Sequence, residues 1–287
     1  MQVTHEAGAK NAGFVLYIVE VWAFIWYNYK NTLKIHSGGG RLFIKTAGLI
    51  LRRSLYKESS LVLTVLTSSQ GKLTVLARGA RRKGSKLAAA TQTLALAELT
   101  LFSQKGRFTL TEARTLTLFE GLREDIERFA LGSYFAELLE AVADEDLPDP
   151  ALLSLGLNAL YALAEGNRDP ELVKAAFELR LCCQAGFEPA VGACQVCGRQ
   201  AMADPLFDLQ GGTVACRGCG GQGVTLPQGA LAAMRHIVSC DPKKLYSFAL
   251  SGPARQRLCS LCEGYALTHL GESFRTLDYY KSLKVSL

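Results

Sequence analysis

The chain has 287 residues, 49% hydrophobic and 20% charged, with a net charge of +6. That is room for two or three packed domains, and it excludes a chain disordered throughout. The charge is uneven: Arg41 to Phe119 holds 14 Lys/Arg against 3 Asp/Glu, and Glu120 to Pro170 holds 3 against 12. Such a sign change marks neighbouring units with different partners, the basic one suited to a polyanion.

In chain order, the apolar run Phe14 to Trp26 comes first, interrupted by Glu20. It falls short of the roughly 18–20 residues needed to cross a bilayer. Lys10 is the only basic residue ahead of it, a weak leader for a signal peptide. Residues 1–42 are therefore expected to be a peripheral extension or the product of a start codon assigned too far upstream. A partner-binding or membrane-surface helix is the other reading. Ser37-Gly-Gly-Gly40 punctuates the chain.

Five short strands are expected next: Thr46 to Arg53, Leu61 to Thr67, Lys72 to Leu76, Leu94 to Phe102 and Phe108 to Leu118. The clusters Ser68-Ser-Gln-Gly71 and Ser103-Gln-Lys-Gly106 supply turns between them. Five strands with one elaborated loop match the size of an oligonucleotide/oligosaccharide-binding barrel, the OB-fold, although strand count alone does not separate it from an SH3-like barrel. From Glu120 the period lengthens toward 3.6, predicting helices over Arg123 to Val142, Pro150 to Glu165, Pro170 to Gln184, Gln228 to Val238 and Ala254 to Tyr279. Leu153, Leu157 and Leu160 form the apolar stripe of a bundle helix.

The sharpest motif is Cys194-x2-Cys197 followed by Cys216-x2-Cys219. A two-residue spacing brings both sulfurs of a knuckle to one edge of a tetrahedron, and a second knuckle closes it. Gly198, Gly218 and Gly220 suit such turns, and Phe207 to Val214 is expected to form a small hairpin between them. Four thiolates leave no open coordination position, so the expected cofactor is structural Zn2+. This spacing, with nine cysteines in all, fits a reducing compartment better than a disulfide scaffold. Cys259 and Cys262 lie in a helical stretch with no second knuckle, and with Cys182, Cys183 and Cys240 they read as small hydrophobes.

The next motif is the loop Ala77-Arg-Gly-Ala-Arg-Arg-Lys-Gly-Ser-Lys86, with Arg78, Arg81, Arg82, Lys83 and Lys86 as its cations. A flexible cationic loop can follow a phosphate backbone. Arg52, Arg53, Lys72, Lys105 and Arg107 are further candidate DNA contacts in the same segment. Tyr56, Phe102 and Phe108 are either base-stacking residues or barrel core. Gly79-x4-Gly84-Ser-Lys86 has the outline of a phosphate-binding P-loop, but its last two residues are reversed, which argues against nucleotide hydrolysis. His5, His36, His236 and His269 are scattered, and Asp144-Glu-Asp146 with Asp149 reads as a solvated loop. No catalytic constellation is expected, and hence no enzyme.

Thr46-Ala-Gly-Leu-Ile-Leu-Arg-Arg53, Tyr56-Lys-Glu-Ser-Ser60, Gly71-Lys-Leu and Ala77-Arg-Gly-Ala-Arg-Arg82 resemble the opening of the bacterial recombination and repair family RecO. Leu122-Arg-Glu-Asp125, Phe177-Glu-Leu-Arg180 and the cysteine segment extend the resemblance toward the C-terminus. The family pattern begins near Phe43, leaving residues 1 to about 42 without counterpart. The resemblance implies an α+β multidomain protein: an OB-fold over 43–120, a helical domain over 121–189 and 225–287, and a zinc finger inserted at 190–224. It implies binding of single- and double-stranded DNA, annealing of complementary single strands and assistance in recombinase loading during double-strand break and gap repair. The implied partners are RecR, the C-terminal tail of single-strand-binding protein and, indirectly, RecA, in a cytoplasmic, nucleoid-associated setting with no membrane. The loop residues Arg78, Arg81 and Arg82 match the family motif and inherit DNA contact from it. The competing reading is a zinc-ribbon interaction module whose barrel binds a protein.

Overall fold

The computed structural model describes residues 34–37 and 41–285. The apolar run Phe14 to Trp26 and His5 lie outside the described residues. The chain divides into two compact units, one running to Ala164 and resuming at Arg275, the other Glu165–Phe274.

The first unit opens with β1 (Lys34–Ser37), β2 (Arg41–Tyr56), β3 (Ser60–Thr67), β4 (Gly71–Ala77), β5 (Leu96–Gln104) and β6 (Arg107–Thr117). Alternation drives these strands: along β4, Leu73, Val75 and Ala77 turn inward while Thr74 turns out. The 16-residue β2 serves two neighbours. Its first half pairs with β5 and its second half with β3, with a register shift between Ile50 and Arg52. With β4 pairing to β6 in parallel, the ring β2-β3-β4-β6-β5 closes on itself. This is the strand order of a five-stranded Greek-key barrel of the OB type. Its interior holds Ile44, Ile50, Leu63, Val65, Val75, Leu99 and Leu101. The ring begins at Arg41, five residues earlier than alternation alone indicates, and β1 pairs antiparallel with residues 41–44.

Three helices follow, α1 (Glu120–Arg123), α2 (Ile126–Val142) and α3 (Pro150–Ala164), and the unit ends in α7 (Arg275–Val285). The helix expected over Arg123 to Val142 is therefore two. Asp125 interrupts it in an extended conformation, and its carboxylate accepts from the Glu127 and Arg128 amides, capping α2. The acidic run after α2 is docked: the Lys72 amide donates to the Asp144 carbonyl at 3.1 Å, and Asp149 accepts from the Leu152 amide at the start of α3.

Gly71 is where this docking is tightest. Its φ is +69°, and a Cβ there would lie 2.5 Å from the backbone nitrogen and oxygen of Leu147. Both the left-handed backbone and the close approach exclude a side chain. Gly71→Ala is expected to cost roughly 2–4 kcal/mol, read as a lower denaturant midpoint. A midpoint equal to wild type would show that the 144–147 loop is not held there.

The second unit contains α4 (Pro170–Gln184), a small sheet of β7 (Pro205–Asp208), β8 (Thr213–Cys216) and β9 (Val224–Thr225), then α5 (Gln228–Ser239) and α6 (Gly252–Leu270). The helix expected over Ala254 to Tyr279 is also two, since α6 stops at Leu270 and α7 starts at Arg275 in the first unit. There the Thr276 amide donates to Glu137 of α2 at 3.0 Å.

Candidate nucleic-acid interface and metal centre

One face of the barrel carries a groove of about 590 Å³, walled by Tyr56, Leu76 and Phe108 among others, with Arg78 and Arg107 on its lining. Tyr56 ends β2 and is 42% exposed, with the Lys57 ammonium 5.5 Å from its ring centre. Phe102 rests against Phe43 at 5.2 Å between ring centres, and Phe108 is partly packed against the barrel core. The β5–β6 hairpin turns through Lys105 and Gly106 at φ +51° and +72°, a tight turn of the primed kind that sets Gln104 opposite Arg107. No Asp or Glu lines the groove.

The basic loop lies beside this groove. The Arg81 amide donates to the Ser59 carbonyl and its guanidinium to the Glu58 carbonyl, both at 3.0 Å. The loop is thereby tied to the turn that follows Tyr56. Arg82, Lys83 and Lys86 are exposed along it. Successive turns occupy residues 78–93 with no helix among them, so the P-loop outline lacks the helix N-terminus that phosphate binding of that kind needs. Arg53 is exposed on β2.

Arg52 and Lys72, two of the ten candidate cations, are engaged elsewhere. The Arg52 Nε and Nη2 donate to the Glu140 carboxylate of α2 at 2.8–3.1 Å, and its Nη1 donates to Ser54 at 3.3 Å. The Lys72 ammonium donates to the Glu140 carbonyl at 2.8 Å. A guanidinium whose Nε–Nη2 edge is bound to a carboxylate and whose Nη1 is on a serine hydroxyl is a poor phosphate ligand unless that pair is displaced.

In the second unit the two cysteine knuckles meet. The Gly198 amide donates to the Cys194 carbonyl at 2.9 Å, closing the first turn, with Gly198 at φ +72°. Cys216 ends β8, and Cys219 follows in a short 3-10 turn closed by Gly220 at φ +77°. The four sulfurs all lie within 4.8 Å of one another. A zinc–thiolate tetrahedron needs sulfurs about 3.8 Å apart, given a Zn–S bond of about 2.3 Å. Amides of Cys197 and Cys216 aimed at the Cys194 sulfur hold its thiol down at about 6. Burial, together with the Cys194 and Cys197 sulfurs, pushes Cys216 up to about 12. Four thiolates so close repel one another, and a divalent ion removes that repulsion, so the donor set fits a four-coordinate soft-ligand metal. It is the only such cluster among the described residues.

The remaining cysteines do not join it. All nine are free, Cys182 and Cys262 are fully buried, and the Cys259 thiol donates to the Glu171 carbonyl at 3.5 Å. Burial pushes Cys259 and Cys183 up to about 11, as expected of inert core thiols. His236 and His269 pair with the carbonyls of Lys244 and Leu209. No described helix is long and apolar enough to cross a membrane.

Comparison with known proteins bears on both sites. A family model described as "Recombination protein O N terminal" matches residues 42–119, and one described as "Recombination protein O C terminal" matches residues 123–278. The chain is 30% identical to the DNA repair protein RecO of Acetivibrio thermocellus over 244 residues, covering 84% of this chain and 97% of that one. It is 30% identical to the RecO of Symbiobacterium thermophilum over 243 residues, covering 83% and 96%. A shorter match, 38% over 173 residues, joins it to the RecO of Exiguobacterium sibiricum, covering 60% and 69%.

Proposed function

The chain belongs to the RecO family of DNA repair proteins, recombination mediators, and on that premise we propose that it anneals complementary single strands of DNA and assists recombinase loading. It does so by binding alone, without catalytic turnover. The observation that carries this reading is the carboxylate-free groove with Arg78 and Arg107 on its lining, bordered by a loop presenting Arg81, Arg82, Lys83 and Lys86. Lys105 on the hairpin and Arg53 on β2 add to the positive field. Strands held there have their phosphates neutralised, which lowers the repulsion between two strands and lets their bases meet. Cys194, Cys197, Cys216 and Cys219 would hold a structural zinc ion, which supplies a cross-link and no chemistry. RecR and the tail of single-strand-binding protein are the partners this reading carries with it.

The test is binding of a fluorescent single-stranded oligonucleotide across a salt series, for wild type and the Arg78/Arg81/Arg82→Ala variant. The variant should bind more weakly, with a log–log salt slope shallower by about 2, three phosphate contacts at roughly 0.7 each. Equal slopes would remove the loop from the DNA surface.

A further inference from the structure

The groove carries more than charge. Three aromatic rings, from Tyr56, Phe102 and Phe108, contribute to its walls, two guanidinium side chains lie on it, and Thr74, Gln104 and Thr109 offer neutral hydrogen-bonding groups. That set matches a ligand that is anionic at one end and planar and aromatic at the other. At about 590 Å³ the groove falls within the range of small-ligand sites and has room for on the order of one or two nucleotides.

We propose that the groove accepts the face of an unpaired nucleotide base, and that Tyr56 is the residue by which the barrel tells single strands from duplex. The inference rests on the DNA-binding reading above and concerns which form of DNA the groove selects. In a duplex each base is already stacked on its neighbours and offers only its edges, whereas an unpaired base can turn its face to an aromatic side chain. Of the three rings, Phe108 is partly committed to the barrel core and Phe102 to Phe43. Tyr56 is the most available: it is 42% exposed, and it ends a strand at the turn to which the basic loop is tied. A strand whose phosphates follow Arg81 and Arg78 thus passes the Tyr56 ring. The division of labour is then physical: the loop's cations bind any phosphate backbone, and the groove adds affinity only where a base is free.

Three fluorescein-labelled ligands of equal length separate these contributions: a single-stranded oligonucleotide, its blunt duplex, and an abasic strand that keeps the phosphates and lacks the bases. Each is titrated by anisotropy against wild type, Tyr56→Ala, Tyr56→Phe and Arg78→Ala. Wild type should prefer the single strand to the abasic strand by roughly tenfold, the worth of one stacked base. Tyr56→Ala should erase that preference while leaving the salt slope and the duplex and abasic affinities unchanged. Tyr56→Phe should retain it, and Arg78→Ala should weaken all three ligands together. If Tyr56→Ala keeps the preference, or weakens all three ligands equally, the base-selecting role is overturned while DNA binding stands. If wild type binds none of them, the DNA reading fails, and this inference with it.

Discussion

Cys197→Ser should yield a protein that retains no metal ion at the cysteine cluster and that proteases cut within residues 192–224, while the first unit stays folded and still binds an oligonucleotide. The reasoning starts from how little else holds that segment. Its sheet consists of strands of 4, 4 and 2 residues, too short to be stable alone in water. Its apolar contribution is Phe207, Val214, Leu206 and Met202, with Phe207 leaning on Tyr265 of α6 at 5.5 Å. A structural zinc site contributes on the order of 10 kcal/mol at neutral pH, more than such a core supplies. Cys197 is the exposed member of the four, so the substitution by serine removes a ligand without opening a cavity. Metal content by mass spectrometry under native conditions and a timed proteolysis ladder would read the result. Wild-type protein that carries no metal ion would show that the cluster is not a metal centre, and a variant that keeps its ion with an unchanged ladder would show that Cys197 is not a required ligand.

What the sequence disclosed follows from how local each signal is. The knuckles were legible because their ligands sit two residues apart in the chain, and the barrel strands because a period of 2 is visible within eight residues. Alternation alone starts the first strand at Thr46 because the Gly-rich stretch ending at Gly40 masks the pattern, yet residues 42–49 pair with β5, from Leu42 on Ser103 to Leu49 on Leu96. The helix predicted over Arg123 to Val142 runs through its own break, although Asp125 ahead of Glu127 is an N-cap signal of the usual kind. The Arg52–Glu140 pair was not legible at all. Its partners stand 88 residues apart, and nothing in a run of basic residues says which of them will meet a carboxylate on a later helix.

The same blindness hid the most costly side chain in the second unit, and it gives the other large expectation. Lys174 and Glu178, four apart on α4, look like an ordinary solvent-facing pair. Both are buried, at 2% and 0% exposure. The Lys174 ammonium lies 2.9 Å from Glu178 and 2.7 Å from Glu263 of α6, so one cation joins two carboxylates across two packed helices. Burial works to lower the pKa of Lys174, but Glu178 and Glu263 outweigh it and the value is raised. A raised lysine contributes its full stabilisation below the unfolded value of about 10.4 and loses it only as pH climbs through the folded one, so the pair is intact throughout the neutral range. Lys174→Met should therefore destabilise the second unit by about 3–5 kcal/mol at pH 7, because it leaves carboxylates buried without their shared cation. Lys174→Met combined with Glu178→Leu should recover much of that loss, since the buried charge goes with its partner. Denaturant midpoints for the two variants decide the matter. A Lys174→Met protein within about 1 kcal/mol of wild type would mean that water reaches the carboxylates and solvates them, so that the Lys174 bridge adds little to the packing of α4 on α6.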